Sequence, residues 1–155
     1  ALNGDPGFLY IWNMYNRVPV HISVGDTTDS WTYTLAAYRA KNGSNSNRVT
    51  FIRGLNEDGV YTTVGGAAYT DAGSGVVVRV AIGLDSVTAR SGIAALSLIN
   101  TTSYTLTMGG WSGLPGLGLH FVQSIEYSSA VSVTNWAGDA GSTVDETAFT
   151  FMGMA

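Results

Sequence analysis

Apolar and polar residues alternate through most of the chain, and Gly, Asn, Asp and Ser break the alternation at short intervals. A period of two places successive side chains on opposite faces of a strand. The pattern predicts strands over Phe8–Asn13, Val18–Val24, Trp31–Tyr38, Arg48–Leu55, Tyr61–Tyr69, Gly75–Leu84, Ile93–Ile99, Tyr104–Met108, Leu119–Tyr127, Val131–Trp136 and Thr147–Met154. Between them lie turn clusters such as Gly25-Asp26-Thr27-Thr28-Asp29, Asn42-Gly43-Ser44-Asn45-Ser46-Asn47 and Gly138-Asp139-Ala140-Gly141. Asn and Asp side chains mimic backbone turns, and Gly admits positive φ, so these clusters punctuate strands. Many short strands with polar turns imply an all-β fold, a jelly-roll-like sandwich of about eight to eleven strands.

Helix signals are weak. Trp31–Ala40 could follow an Asp29-Ser30 cap, but its Thr, Tyr and Trp favour a strand. Gly92 interrupts the Ala-rich Ser86–Leu98. Gly109–Gly118 (GGWSGLPGLG) holds five Gly and one Pro and reads as a long loop pinned by Trp111 and Leu114. The segments Phe8–Tyr15 and Ala148–Ala155 are apolar and carry no charge. Chain ends normally fray in water, so such ends fit strands inside a sheet or at a subunit interface.

Composition sharpens this picture. Only 12% of residues are charged, where about 25% is usual for a soluble domain. Such a chain either hides surface against other chains or presents an uncharged polar one. Both are habits of assembly and recognition proteins rather than of metabolic enzymes. A length of 155 residues suits one domain, 1–155. The chain does not start with Met, which is consistent with a processed or excised piece of a longer one. The net charge is −4, and the basic residues are scattered, none following Arg90. A nucleic-acid face is therefore not expected. No apolar run approaches the roughly 20 residues that span a bilayer.

Candidate chemistry is sparse. With no Cys there is no disulfide, thiolate metal site or thiol nucleophile. Neither His21 nor His120 has carboxylate partners at metal-ligand spacing. The oxygen-rich turns Asp26-x-x-Asp29 and Asn56-Glu57-Asp58 match no calcium loop, so no metal or cofactor is expected. Gly110-Trp111-Ser112-Gly113 lacks the spacing of a serine-hydrolase elbow. Glu126 with Asp139 could in principle pair as glycosidase carboxylates. Asp71-Ala72-Gly73-Ser74-Gly75 leads into a strand, not the helix that a phosphate loop needs. No enzyme activity is expected. Sugar binding is the most credible ligand chemistry, because sugars stack on aromatic faces beside hydrogen-bonding Asn, Asp and Ser. Trp111, Trp136 and Asp139 are its candidates, lying near Gly-rich turns. The competing reading makes both rings core anchors, since Trp buries a large area. Trp12 and Trp31, within predicted strands, read as core or subunit contacts.

Several stretches carry a family resemblance: Leu9-Tyr10-Ile11-Trp12-Asn13-Met14-Tyr15-Asn16-Arg17-Val18, Thr28-Asp29-Ser30-Trp31-Thr32-Tyr33-Thr34, Ser46-Asn47-Arg48-Val49 with Gly54-Leu55-Asn56-Glu57-Asp58, Ile82-Gly83-Leu84-Asp85-Ser86, and Gly118-Leu119-His120-Phe121-Val122-Gln123-Ser124-Ile125-Glu126-Tyr127. In this order they resemble a domain of structural proteins of tailed bacteriophages, especially tail-fibre-like and other virion appendage proteins. The architecture is also similar to trimeric jelly rolls of the C1q and tumour-necrosis-factor type. The resemblance implies a virion location, and the low charge with the two apolar termini leads us to expect a self-assembling homo-oligomer, a trimer by preference. The resemblance also implies other virion proteins as partners and a host-surface glycan as a candidate ligand. The alternatives are a capsid decoration or head-fibre protein, and a carbohydrate-binding module of an extracellular enzyme.

Overall fold

A computed structural model describes Tyr15 and residues 17–71, 75–99, 103–139 and 148–154. The predicted strand Phe8–Asn13, with Trp12, lies outside them. The described residues form two antiparallel sheets packed as a β-sandwich. The strands are β1 (Pro19–Gly25), β2 (Ser30–Tyr33), β3 (Arg39–Ala40), β4 (Arg48–Arg53), β5 (Val60–Thr70), β6 (Val76–Leu84), β7 (Ile93–Ala94), β8 (Ser97–Ile99), β9 (Thr105–Gly113), β10 (Gly118–Ser128), β11 (Thr134–Ala137) and β12 (Ala148–Met154). The only helical piece among them is a 3-10 turn at Lys41–Gly43.

The seven-stranded sheet is built on β5. One edge of β5 pairs with β9 for almost its whole length, from Val60↔Gly113 to Ala68↔Thr105. The other edge is shared end to end. β12 lies opposite Tyr61 to Val64, and β11 opposite Ala67 to Thr70. At the fork, Lys41 Nζ donates to the Gly65 carbonyl at 3.0 Å. β1 extends the sheet beyond β12, β2 beyond β11, and β7 beyond β9. The five-stranded sheet is centred on β10, which pairs with β3, β4 and β6, while β8 borders β6.

Alternation positions the core. Val60, Val64 and Ala68 of β5 point inward with Phe149 and Phe151 of β12 and Trp136 of β11. They meet Val76, Val78, Val80 and Ile82 of β6 and Val122 of β10. On β1, Val20 and Val24 pack against this core, while Ile22, opposite Phe151, is exposed.

Three expectations change. The Trp31–Tyr38 strand stops at Tyr33, where the Tyr33 hydroxyl donates to the Ala37 carbonyl at 2.8 Å and closes a loop. Ile93–Ile99 is two strands in different sheets, β7 and β8, because the chain crosses between layers at residues 95–96. That split, with the two-residue β3, brings the count to twelve.

The third correction concerns Gly109–Gly118, where a strand runs through the Gly-rich stretch as far as Gly113. Glycine is needed there for close backbone approach. A Cβ on Gly109 would lie 2.4 Å from the Val80 carbonyl oxygen and 3.0 Å from that of Ile93. Gly109→Ala is therefore expected to cost about 1–3 kcal/mol through overpacking. Gly65→Ala, with nothing within 4 Å of its Cβ, is the control. Urea unfolding of both variants checks the contrast, and equal losses would refute it.

Candidate functional site

The structure separates the three candidate sugar-binding residues. Trp111 pairs across Thr62 on one edge of β5, and Trp136 pairs across Ala68 on the other. Six residues along a strand span roughly 20 Å. Asp139 follows β11, beside Thr28, whose carbonyl accepts its backbone N–H at 3.3 Å. The three therefore do not converge on one ligand.

Their environments differ as well. Trp136 is 0% exposed, packed against Gly66 inside the core, and offers no open ring face. Trp111 is half-buried against the core, with its ring over Gly113, and its carbonyl accepts from the Thr62 hydroxyl at 2.9 Å. It borders a groove of about 610 Å³ along β9. Trp136 and Asp139 do not border this groove.

The remaining chemical candidates are tied into the scaffold. His120 Nδ1 lies 2.7 Å from Asp85 Oδ2, while Asp85 Oδ1 accepts from the Phe121 N–H at 2.9 Å. Asp85 has φ 51°, so the pair fastens a tight turn. His21 is exposed on an edge strand. The Asp26 carboxylate accepts from Asn47 Nδ2 at 2.7 Å, from the Thr28 N–H and from Asn42 Nδ2. Burial opposes its ionisation, but these donors together hold its pKa below the ordinary carboxylate range. Among the described residues no group of three His, Asp or Glu could hold a metal.

Glu126 is the centre of a buried polar network. Its side chain is fully buried between the sheets. Oε1 accepts from Arg39 Nε at 2.7 Å, and Oε2 from Trp31 Nε1 at 2.8 Å. With both oxygens engaged, it is not placed to act with Asp139 on a substrate. Burial raises its pKa, and that effect outweighs the opposing pull of Arg39 and Trp31. Lys41, also buried, is pushed down to about 8 by desolvation despite the nearby Glu126 and Asp26. Arg39 also stacks over the Tyr33 ring, 4.0 Å from its centroid.

A different surface stands out once the strands are sorted into layers. Every charged residue within a strand belongs to the five-stranded sheet: Arg39, Arg48, Arg53, Arg79 and Glu126. The seven-stranded sheet has none. Its outer face mixes hydroxyl-bearing residues such as Thr63, Ser112 and Thr150 with exposed hydrophobes. In β9 the alternation is inverted, with Thr107 buried and donating to the Ala95 carbonyl while Leu106 is 73% and Met108 62% exposed. Tyr61 of β5, Met152 of β12 and Ile93 of β7 are exposed on this sheet too. Sequence reading missed this face. The signal was the pair of hydrophobes in Thr105-Leu106-Thr107-Met108, but alternation alone does not say which face is inside.

Two grooves flank Tyr61. The one along β9 also involves Thr63, Ile93 and Met108. A second, of about 450 Å³, is bordered by Val20, Leu114, Met152 and Met154. β1 forms an edge of the sheet among the described residues and has no charged residue that would discourage pairing.

No protein-family model and no curated protein matches this chain. Among solved structures it is similar to a chain in the structure of infectious bursal disease virus Gx strain, with 11% identity and a TM-score of 0.39. The match covers 97% of this chain and 42% of that one, so the present chain spans less than half of its length.

Proposed function

We propose that this chain is a non-enzymatic structural domain of a virion, of the tail-fibre or appendage kind, that assembles with copies of itself. The observation that carries the self-assembly is the seven-stranded sheet without a charged residue, whose outer face exposes Leu106, Met108, Tyr61 and Met152. Exposed large hydrophobes gathered on one uncharged sheet face mark an interaction surface. The sequence resemblance to phage appendage domains supports the virion location. A capsid decoration or head-fibre role is a variant of the same reading.

Self-association is expected as a stable oligomer, a trimer by preference, of about three times the 16.2 kDa chain mass. Light scattering on a size-exclusion column at micromolar concentration measures this. A monodisperse monomer that stays soluble would overturn the reading. Labelling of purified particles by an antibody against the domain tests the location, and absence of the domain from the particles would refute it.

The second reading, a carbohydrate-binding module, is favoured by one observation: Trp111 borders a groove with hydroxyl-bearing Thr63 and Ser112. It requires a monomer that is retained on a neutral polysaccharide and released by Trp111→Ala.

A further inference from the structure

We propose that the uncharged outer face of β9, β5, β12 and β1 is the contact between copies of this chain, with Tyr61 of one copy seated in a groove of the next. This rests on the self-assembly reading above and deepens it by naming the surface.

Three observations select a second copy as the occupant. The first is charge. The chain carries −4 overall, and a face that presents no charge adds no local repulsion to the approach of a second copy. The four strands contain no Asp, Glu, Lys or Arg, and therefore the approach of a like surface buries no unpaired ion. A strongly charged partner would find no complement there.

The second is shape. One face carries both the projections and the depressions that receive them. Tyr61, 53% exposed, stands between the two grooves. Gly110 lacks the side chain that would fill the first groove beside Thr63. Two copies of such a surface interlock, with the knob of each entering a hollow of the other or of the next around a ring.

The third is area. Four strands at about 4.8 Å spacing, each seven to eleven residues long at about 3.4 Å per residue, cover roughly 500 Å². Two such faces bury about 1,000 Å² together, the size at which specific interfaces begin. The exposed Tyr and Met side chains are types enriched in the core of interfaces. The opposite sheet is differently finished. Its outward Gln123 is covered by the chain itself, donating to the carbonyls of Ser44 and Asn47.

The test introduces charge on this face at exposed positions where folding is not at stake. Met108→Lys and Met152→Lys are compared with Leu119→Lys, an exposed position on the other sheet. Light scattering and sedimentation over a concentration series give the association constant, and thermal melting confirms that each variant folds. The first two variants are expected to weaken association at least about 100-fold, as expected where a charge is buried unpaired, and Leu119→Lys to leave it within about twofold. If the wild type is oligomeric and Met108→Lys and Met152→Lys remain so with unchanged affinity, this surface is wrong and self-assembly stands. If the wild type is monomeric throughout the series, self-assembly and this surface fall together.

Discussion

Trp136→Ala is expected to lower the unfolding free energy by about 3–5 kcal/mol, among the largest losses that any single substitution here would produce. The ring is fully buried where β11 meets β5 and packs against Gly66 and Val80. Its removal leaves a cavity that rigid strands on both sides cannot close. Trp111→Ala, at the half-buried end of β9, is expected to cost less. Chemical denaturation of both variants measures the contrast. A loss below about 1 kcal/mol at Trp136, the size of an ordinary substitution, would mean that the ring is not the anchor its position implies.

Glu126→Leu is expected to destabilise the fold by about 3–5 kcal/mol in chemical denaturation, because it leaves the Arg39 guanidinium and the Trp31 indole N–H without their acceptor between the sheets. The same network predicts a pH dependence. Lys41 titrates near 8 in the folded chain and at about 10.5 when unfolded. Between those values the unfolded chain holds more protons, so the Lys41 contribution rises with pH over about 8 to 10.5. Below pH 8 the residue is charged in both states and contributes no slope. Tyr33, whose pKa is raised above 10.0 by burial, acts in the opposite direction beyond pH 10, so pH 8 to 10 is the clean window. Glu126 has its folded pKa raised, so its own contribution is fully present below about 4.5 and is lost as pH rises through the folded value. Melting temperatures at pH 8 and pH 10 are expected to differ in the wild type and to converge in Lys41→Met. Equal slopes in the two proteins would show that another group is responsible.

The strands of this sandwich were readable because alternation is a local property. Val76 to Leu84 and Leu119 to Tyr127 announce themselves within nine residues. The Gly109-Gly110 pair misled, since glycine usually weakens a strand and the backbone oxygens of Val80 and Thr62 that require it come from distant sequence. Trp136 and Trp111 illustrate the same limit for the site. Both sit near Gly-rich turns, but only pairing with β5 shows one ring sealed in the core and the other beside a groove. The charge-free layer was also present in the sequence, distributed over seven segments. Topology, not proximity along the chain, gathers those segments into one sheet. The Arg39–Glu126 pair is separated by 87 positions, beyond the reach of any spacing argument.

Arg53 is almost fully buried, donating from one guanidinium nitrogen to the Met154 carbonyl and from another to that of Gly59. Beside it, Arg17 is paired with Asp58. Residues 17 and 154 are thus fastened at one end of the sandwich, where Pro19 lies opposite Met154. Tension applied between those two points would open the β1–β12 ladder one rung at a time from that end, an unzipping rather than a shear. The guanidinium and the ion pair sit at the first rungs and act as the latch of that zipper.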